Sequence, residues 1–269
     1  MRVGLVLGGG AVRGLAHIGI LKTLKKYEIP VDFIAGTSMG GAIGGLVAAG
    51  IDIEDIEEFV LNTSSYRFMD IRLNKNGILR GEKIASILIE FLEQRGLYDI
   101  QIEDLNVPFR TVSVDLIKGE IVVFDTGSLV LAIRATTAFP GILTPVSFQD
   151  KILVDGGVLN NLPVDLVRSE GLDLVLAVDV EREHAERKPR SIFDVVYRSF
   201  TIMTTQQRRA SLQYADVVFR PDVGHILAFD IGKIRECIEA GEREAENKIH
   251  EEPLATWIFH RSLSPHQYR

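Results

Sequence analysis

The run Val3-Gly4-Leu5-Val6-Leu7 carries no polar side chain and stops at Gly8-Gly9-Gly10. Such a run is the pattern of a strand covered on both faces of a parallel sheet. Apolar positions then return at Ile20, Leu24 and Tyr27. That helical spacing predicts a helix from about Gly14 to Tyr27, stopped by Pro30. Asp32-Phe33-Ile34-Ala35 reads as a second short strand, and Gly36-Thr37-Ser38-Met39-Gly40 turns from it into a small-residue helix ending near Gly50. Strand, glycine turn and helix recur twice at the start of the chain. The alternation argues for βαβ units and a mostly parallel sheet.

Further along, Asp52 caps a predicted helix carrying Ile53, Ile56, Phe59 and Val60. The stretch 62–80 has little periodicity and several turn formers, so it predicts a long loop of the kind that often serves as a lid. Ile84, Ile87, Leu88, Phe91 and Leu92 define an amphipathic helix. Phe109 to Leu116 and Glu120 to Phe124 predict a β-hairpin about Lys118-Gly119. A helix is expected from about Ser128 to Ala138, then a short strand at Ile152-Leu153-Val154 running into Asp155-Gly156-Gly157. Leu174 to Val178 reads as a core strand, 181–190 as a charged connection, Ser191 to Leu212 as a long helix and Val217 to Phe219 as a strand. Ile234, Cys237, Ile238, Gly241 and Ala245 share one face of a last helix. No repeat, low-complexity tract or linker divides the chain. The expectation is one domain over 1–250, with the tail 251–269 packed on it.

At 269 residues with 46% hydrophobic positions, the chain can bury a large core without staples. Its net charge of −7 and lack of a basic stripe argue against nucleic acid as a partner. A single cysteine, Cys237, excludes an internal disulfide framework and a Cys-rich zinc site, and suits a reducing cytoplasm. No signal peptide is read at the start of the chain. The apolar run Phe33 to Ile51 has the length of a membrane span, but glycines interrupt it, so it reads as strand, turn and helix.

Gly36-Thr37-Ser38-Met39-Gly40 is G-x-S-x-G between a strand and a helix, the context that a nucleophile elbow requires. The plain alternative is a glycine turn with an N-capping serine; the strand–helix context favours Ser38 as nucleophile. The backbone N–H groups of Gly8, Gly9 and Gly10 can hold an anion, as a phosphate cradle or an oxyanion hole. A dinucleotide fingerprint needs G-x-G-x-x-G, yet the sixth position from Gly8 is Arg13 and Gly14 comes one place late. No G-K-[ST] ending marks a P-loop, so the oxyanion reading gains by elimination. A steric need for glycine remains open at any one of the three positions. For the base, His225 fits the chain order of a Ser38–His225 triad, while Asp155 is presented by a strand end and two glycines. His17, one turn past the glycine loop, is placed to brace it.

Gly8-Gly9-Gly10-Ala11-Val12-Arg13-Gly14, Gly36-Thr37-Ser38-Met39-Gly40 and Asp155-Gly156-Gly157 together resemble the three signatures of patatin-like phospholipases, in order. Ala138-Phe139-Pro140-Gly141 and Asn160-Asn161-Leu162-Pro163 support the resemblance, and Arg220-Pro221-Asp222-Val223-Gly224-His225 is similar to the compact bacterial and archaeal branch. The resemblance implies a three-layer α/β/α sandwich with a mostly parallel central sheet. It implies a Ser38–Asp155 dyad, an oxyanion hole from the backbone of Gly8, Gly9 and Gly10, and Arg13 ordering that loop. The activity implied is that of a carboxylic ester hydrolase on a lipid or other acyl ester, with no cofactor and no metal. Transient contact with a membrane surface follows from such a substrate. The tail, with Trp257, Phe259, Arg261 and Arg269, can touch that surface or a partner subunit, or pack Trp257 on its own core. A rival from another class is a non-enzymatic regulatory protein that holds an acyl or phosphate group at the glycine loop.

Overall fold

The pleat of the first strand decides where the helices go. β1 (Val3–Leu7) turns Val3, Leu5 and Leu7 to one face and Val6 to the other, and all four are fully buried. In this computed structural model, residues 2–63, 71–74, 77–79, 82–181, 188–189, 191–251 and 254–256 are described. The elements that follow β1 are α1 (Ala16–Lys26), β2 (Phe33–Thr37), α2 (Met39–Ala48), α3 (Ile53–Thr63), β3 (Ile71–Asn74), β4 (Gly77–Leu79) and α4 (Glu82–Glu93). Next come β5 (Phe109–Asp115), β6 (Glu120–Phe124), α5 (Leu129–Thr136), β7 (Val146–Phe148), β8 (Lys151–Asp155) and α6 (Val164–Arg168). The chain continues through β9 (Leu174–Val178), α7 (Ile192–Leu212), β10 (Val217–Phe219) and α8 (Ile234–Ile249).

The main sheet has the order β10-β9-β1-β2-β5-β8-β7, with β6 also on β5. β10, β9, β1, β2 and β5 run parallel; β6 and β8 run antiparallel to β5, and β7 antiparallel to β8. One face carries the larger core, where residues of α1, α2, α3, α4, α5 and α8 meet Leu5, Leu7, Leu176 and Val178. The other face is closed by Leu162, Val164 and Val167 against Val6, Ala35, Val175 and Ala177, with Leu212 at its edge. Helices on both faces of a mostly parallel sheet make the expected three-layer sandwich. Each fully buried Leu or Ile in these layers contributes roughly 1.5–3 kcal/mol.

The pairing around β5 positions the site. Thr111 to Asp115 pair with β6 on one edge. On the opposite edge, Phe109 to Val112 pair with β2, and Ser113 to Asp115 pair with β8. β2 and β8 therefore abut end to end along one edge of β5. Thr37 stands opposite Val112 and Asp155 opposite Ser113, so the residues at the two strand ends come face to face.

Several elements depart from the sequence reading. The predicted first helix opens as a 3-10 turn, Ala11–Leu15, because the Arg13 N–H closes onto Gly10 O three residues back. Part of the predicted loop 62–80 is regular: α3 reaches Thr63, and β3 pairs antiparallel with β4. Residues 64–70, 75–76 and 80 lie outside the described residues, as do most of 181–190 and the tail from 257. β7 and the short α6 carry too few residues for periodicity to reveal them.

Candidate active site

Ser38 follows β2 with φ 55° and ψ −124°. That region is nearly closed to residues with a Cβ, and a side chain is held there only when its surroundings over-determine it. Three hydroxyls do so. The Ser38 N–H donates to Thr136 Oγ1 at 2.9 Å, the Thr37 hydroxyl to Asn160 O at 2.8 Å and the Thr111 hydroxyl to Gly36 O at 2.8 Å. Glycine at position 40 is a matter of space: a Cβ there would stand 2.1 Å from Leu7 O, so only glycine lets α2 start against β1. The result is a half-buried serine at a helix N-terminus, where the dipole favours developing negative charge.

Asp155 ends β8 and is 2% exposed. Its N–H donates to Ala138 O at 3.0 Å, and its Oδ1 accepts from Gly157 N–H at 2.8 Å. Oδ2 is buried with no well-formed hydrogen bond among the described residues. Burial pushes the carboxyl up to about 7, opposed by the Ser38 hydroxyl first and the Gly157 N–H second. The Ser38 hydroxyl thus offsets part of what burial does to the Asp155 carboxyl.

The glycine loop corrects the expectation of three free donors. The Gly8 N–H is spent on Val178 O at 3.1 Å and the Gly9 N–H on Asn161 O at 3.0 Å. These bonds stitch the loop to β9 and to the Asn160-Asn161 turn, so neither amide is available to a ligand. The N–H groups of Gly10 and of Ala11, whose φ is 49°, have no acceptor among the described residues. The loop lies against Ser38, since a Cβ on Gly9 would be 3.3 Å from Ser38 Cβ.

Arg13 faces a buried cluster beneath the loop. Its Nε donates to Ile226 O at 2.7 Å, and its Nη1 pairs with Glu181 Oε2 at 3.0 Å. The Tyr197 hydroxyl donates to Glu181 Oε1, and the Arg13 guanidinium carbon lies 5.8 Å from the Tyr197 ring centroid. Burial pushes the Glu181 carboxyl up, with the Arg13 charge the strongest opposing effect. Beside it, Arg208 Nε bridges both Asp179 oxygens at 3.1 and 3.2 Å, out of contact with solvent. His17 is fully buried, and its Nε2 donates to Gly8 O at 2.7 Å. Burial lowers its pKa to about 4, so the ring is neutral at pH 7.

Phe139 packs its ring against Tyr197, Phe200 and Phe229 at centroid distances of 5.5, 5.0 and 6.2 Å. A Cβ on Gly157 would meet Phe200 Cζ at 2.9 Å and Asp155 Oδ1 at 3.1 Å, which puts this aromatic wall beside the carboxyl. His225 is elsewhere engaged: its ring is exposed and its Nε2 pairs with Glu236 Oε1 of α8 at 2.6 Å. Thr136, Glu181 and Tyr197 escaped the sequence reading, because each acts through a partner distant in the chain, and Asn161 entered it only within the Asn160-Asn161-Leu162-Pro163 stretch, without a role. Among the described residues, no cluster of three or more His, Cys, Asp or Glu could hold a metal ion. Among them too, no helix is long and apolar enough to cross a membrane.

A serine on a strained strand-to-helix turn, facing an aspartate from a neighbouring strand end in a three-layer sandwich, defines a class of α/β protein. The profile of the family described as "Patatin-like phospholipase" matches residues 5–168, and the chain belongs to that family. An uncharacterised NTE family protein of Mycobacterium bovis is 35% identical over 190 residues, covering 68% of this chain and 50% of the relative. A protein named lysophospholipase NTE1 from Debaryomyces hansenii is 33% identical over 186 residues, covering 66% of this chain and 12% of the relative. The chain therefore spans about half or less of the length of these relatives. Among solved structures, VipD from Legionella pneumophila superposes with a TM-score of 0.60 at 13% identity, over 91% of this chain and 66% of that one. That likeness concerns the fold alone.

Proposed function

We propose that the chain is a serine acyl hydrolase that cleaves a fatty-acyl ester of a lipid with a Ser38–Asp155 dyad. The observation that carries the reading is geometric: strained Ser38 follows β2 and buried Asp155 ends β8, and these two strands abut on one edge of β5. Burial also raises the Asp155 carboxyl to about 7. A base with a pKa near the working pH is what general-base catalysis favours. Asp155 accepts the Ser38 proton as Oγ attacks the acyl carbon. The negative charge on the former carbonyl oxygen is met by the N–H groups of Gly10 and Ala11 and by the N-terminus of α2. Asp155 then gives its proton to the leaving alkoxide. A water deprotonated by the same carboxylate attacks the acyl-enzyme and frees Ser38 and the acid. Arg13 and His17 hold the loop from behind, through Glu181 and Gly8 O respectively. No step calls on a cofactor or a metal.

The choice of lipid rests on family membership and on the lysophospholipase name of the Debaryomyces relative. The pairing of His225 with Glu236 favours the dyad over a Ser38–His225 triad. The purified chain should release fatty acid from at least one of phospholipid, lysophospholipid, monoacylglycerol or acyl-CoA. Ser38→Ala should abolish that release without unfolding the chain. Turnover by Ser38→Ala near the wild-type rate would end the reading, and labelling of Ser38 without turnover on any acyl ester would restrict it to acyl binding.

A further inference from the structure

α7 is amphipathic in the reverse sense. The face toward the protein carries Tyr197, Thr204 and Arg208, all buried, together with Phe200. The face toward solvent carries Ile192, Val195, Val196, Ile202 and Met203, exposed by 68, 45, 40, 55 and 79%. With Ser199 between them, these positions follow helical spacing over three turns, a stripe about 17 Å long. No charged residue interrupts it. An apolar stripe that stays wet in an isolated chain marks a surface that another phase or molecule covers.

Two observations say what covers it. The stripe lies on the helix whose inner face walls the candidate site: Phe200 abuts Gly157 beside Asp155, and the Gln207 side chain donates to Leu159 O just beyond. The charge around it is the opposite of the chain's. Among the described residues of α7, Arg198 lies beside the stripe and Arg209 beyond its end, against one acid, Asp194, while the whole chain stands at −7. A basic, apolar-faced helix on an acidic body complements an anionic lipid surface.

We propose that the outer face of α7 is a docking surface for anionic lipid, laying Ile192, Val195, Val196, Ile202 and Met203 into the interface. Cations at its border contact lipid headgroups, and the dyad on the far side of the same helix receives acyl esters from that surface. The proposal deepens the hydrolase reading by naming where its substrate is met, but lipid docking can be measured without turnover.

The test uses the full chain in flotation with vesicles of phosphatidylcholine alone or with 30% phosphatidylglycerol, a composition set by the experimenter as about one anionic lipid in three. Wild type should partition about ten-fold or more better onto the anionic vesicles, and 0.5 M salt should remove roughly that advantage. The double variant Ile202→Glu/Met203→Glu should lose about ten-fold or more of the partitioning. Its rate of Ser38 modification by a soluble fluorophosphonate should stay at the wild-type level, which separates loss of docking from loss of the site. A second measurement covers misfolding of that variant. Met203→Cys and, as a control on β6, Ile121→Cys are each labelled with an environment-sensitive fluorophore. Cys237 is buried with its thiol pushed up to about 12, so it does not compete for label. Anionic vesicles should brighten the probe at 203 and leave that at 121 unchanged. Equal partitioning of wild type and double variant, equal responses at 203 and 121, or a stable dimer that the double variant splits while wild type ignores vesicles, would each overturn the proposal. In the last case a second copy of the chain covers the stripe.

Discussion

Ser38 holds φ 55°, a backbone strain that a cysteine, alanine or serine must bear and a glycine does not. Ser38→Gly should therefore raise the unfolding free energy by on the order of 1 kcal/mol while abolishing turnover, as read by chemical denaturation and ester hydrolysis. A variant no more stable than Ser38→Ala would show the turn to be unstrained. Asp155 and His17 make opposite predictions about pH. Asp155 titrates near 7 in the folded chain and near 3.8 unfolded, so between these values the native state holds the extra proton. Its contribution to stability is present at low pH and is lost as pH rises from about 4 to about 7, by up to about 1.4 kcal/mol per unit. Asp155→Asn should thus be more stable than wild type at pH 8, with the difference shrinking toward pH 4. His17 has its pKa lowered from 6.5 to about 4, so below about 6.5 the unfolded chain takes a proton that the native chain refuses. Wild type should lose stability relative to His17→Gln as pH falls through that window. Unfolding curves of the three proteins across pH 4–8 check both signs.

At the scale of elements, Ser38 and Asp155 meet because β2 and β8 abut on one edge of β5. Each partner was legible in the sequence: G-x-S-x-G between strand and helix marks Ser38, and an apolar run ending in Asp155-Gly156-Gly157 marks the carboxylate. Their meeting was not legible, since strand pairing between distant segments leaves no local period. The same holds for the glycine loop. Its sequence announces an anion site, but only Val178 O and Asn161 O reveal that Gly8 and Gly9 have no N–H to give. β3, β4 and β7 went unseen because their short runs contain a polar residue or open on glycine, whereas the equally short Val217-Val218-Phe219 is apolar throughout. Two supports from other elements are testable. Thr136→Val removes from α5 the acceptor of the Ser38 N–H, and should cost about 1–3 kcal/mol of stability and lower kcat with KM little changed. Tyr197→Phe strips Glu181 of the hydroxyl donor from α7, and should cost a similar ~1–3 kcal/mol and slow turnover by loosening Arg13. Unchanged kcat in both, on a substrate that saturates, would show that elbow and loop hold without them.

Over the whole molecule, the family relation is firm, while the chain covers only half or less of the length of its matched relatives. The site must therefore be judged on its own chemistry. The most direct measurement is the rate at which a fluorophosphonate modifies Ser38, followed by intact mass against pH in wild type, Asp155→Asn and His225→Ala. The dyad predicts a single adduct on Ser38 whose rate rises with pH to a plateau, half-maximal at about 7 as Asp155 ionises. His225→Ala should follow the same curve, and Asp155→Asn should react slower by orders of magnitude and lose the inflection. A folded Asp155→Asn that reacts as fast as wild type, beside an inert His225→Ala, would contradict the dyad and install the histidine as base.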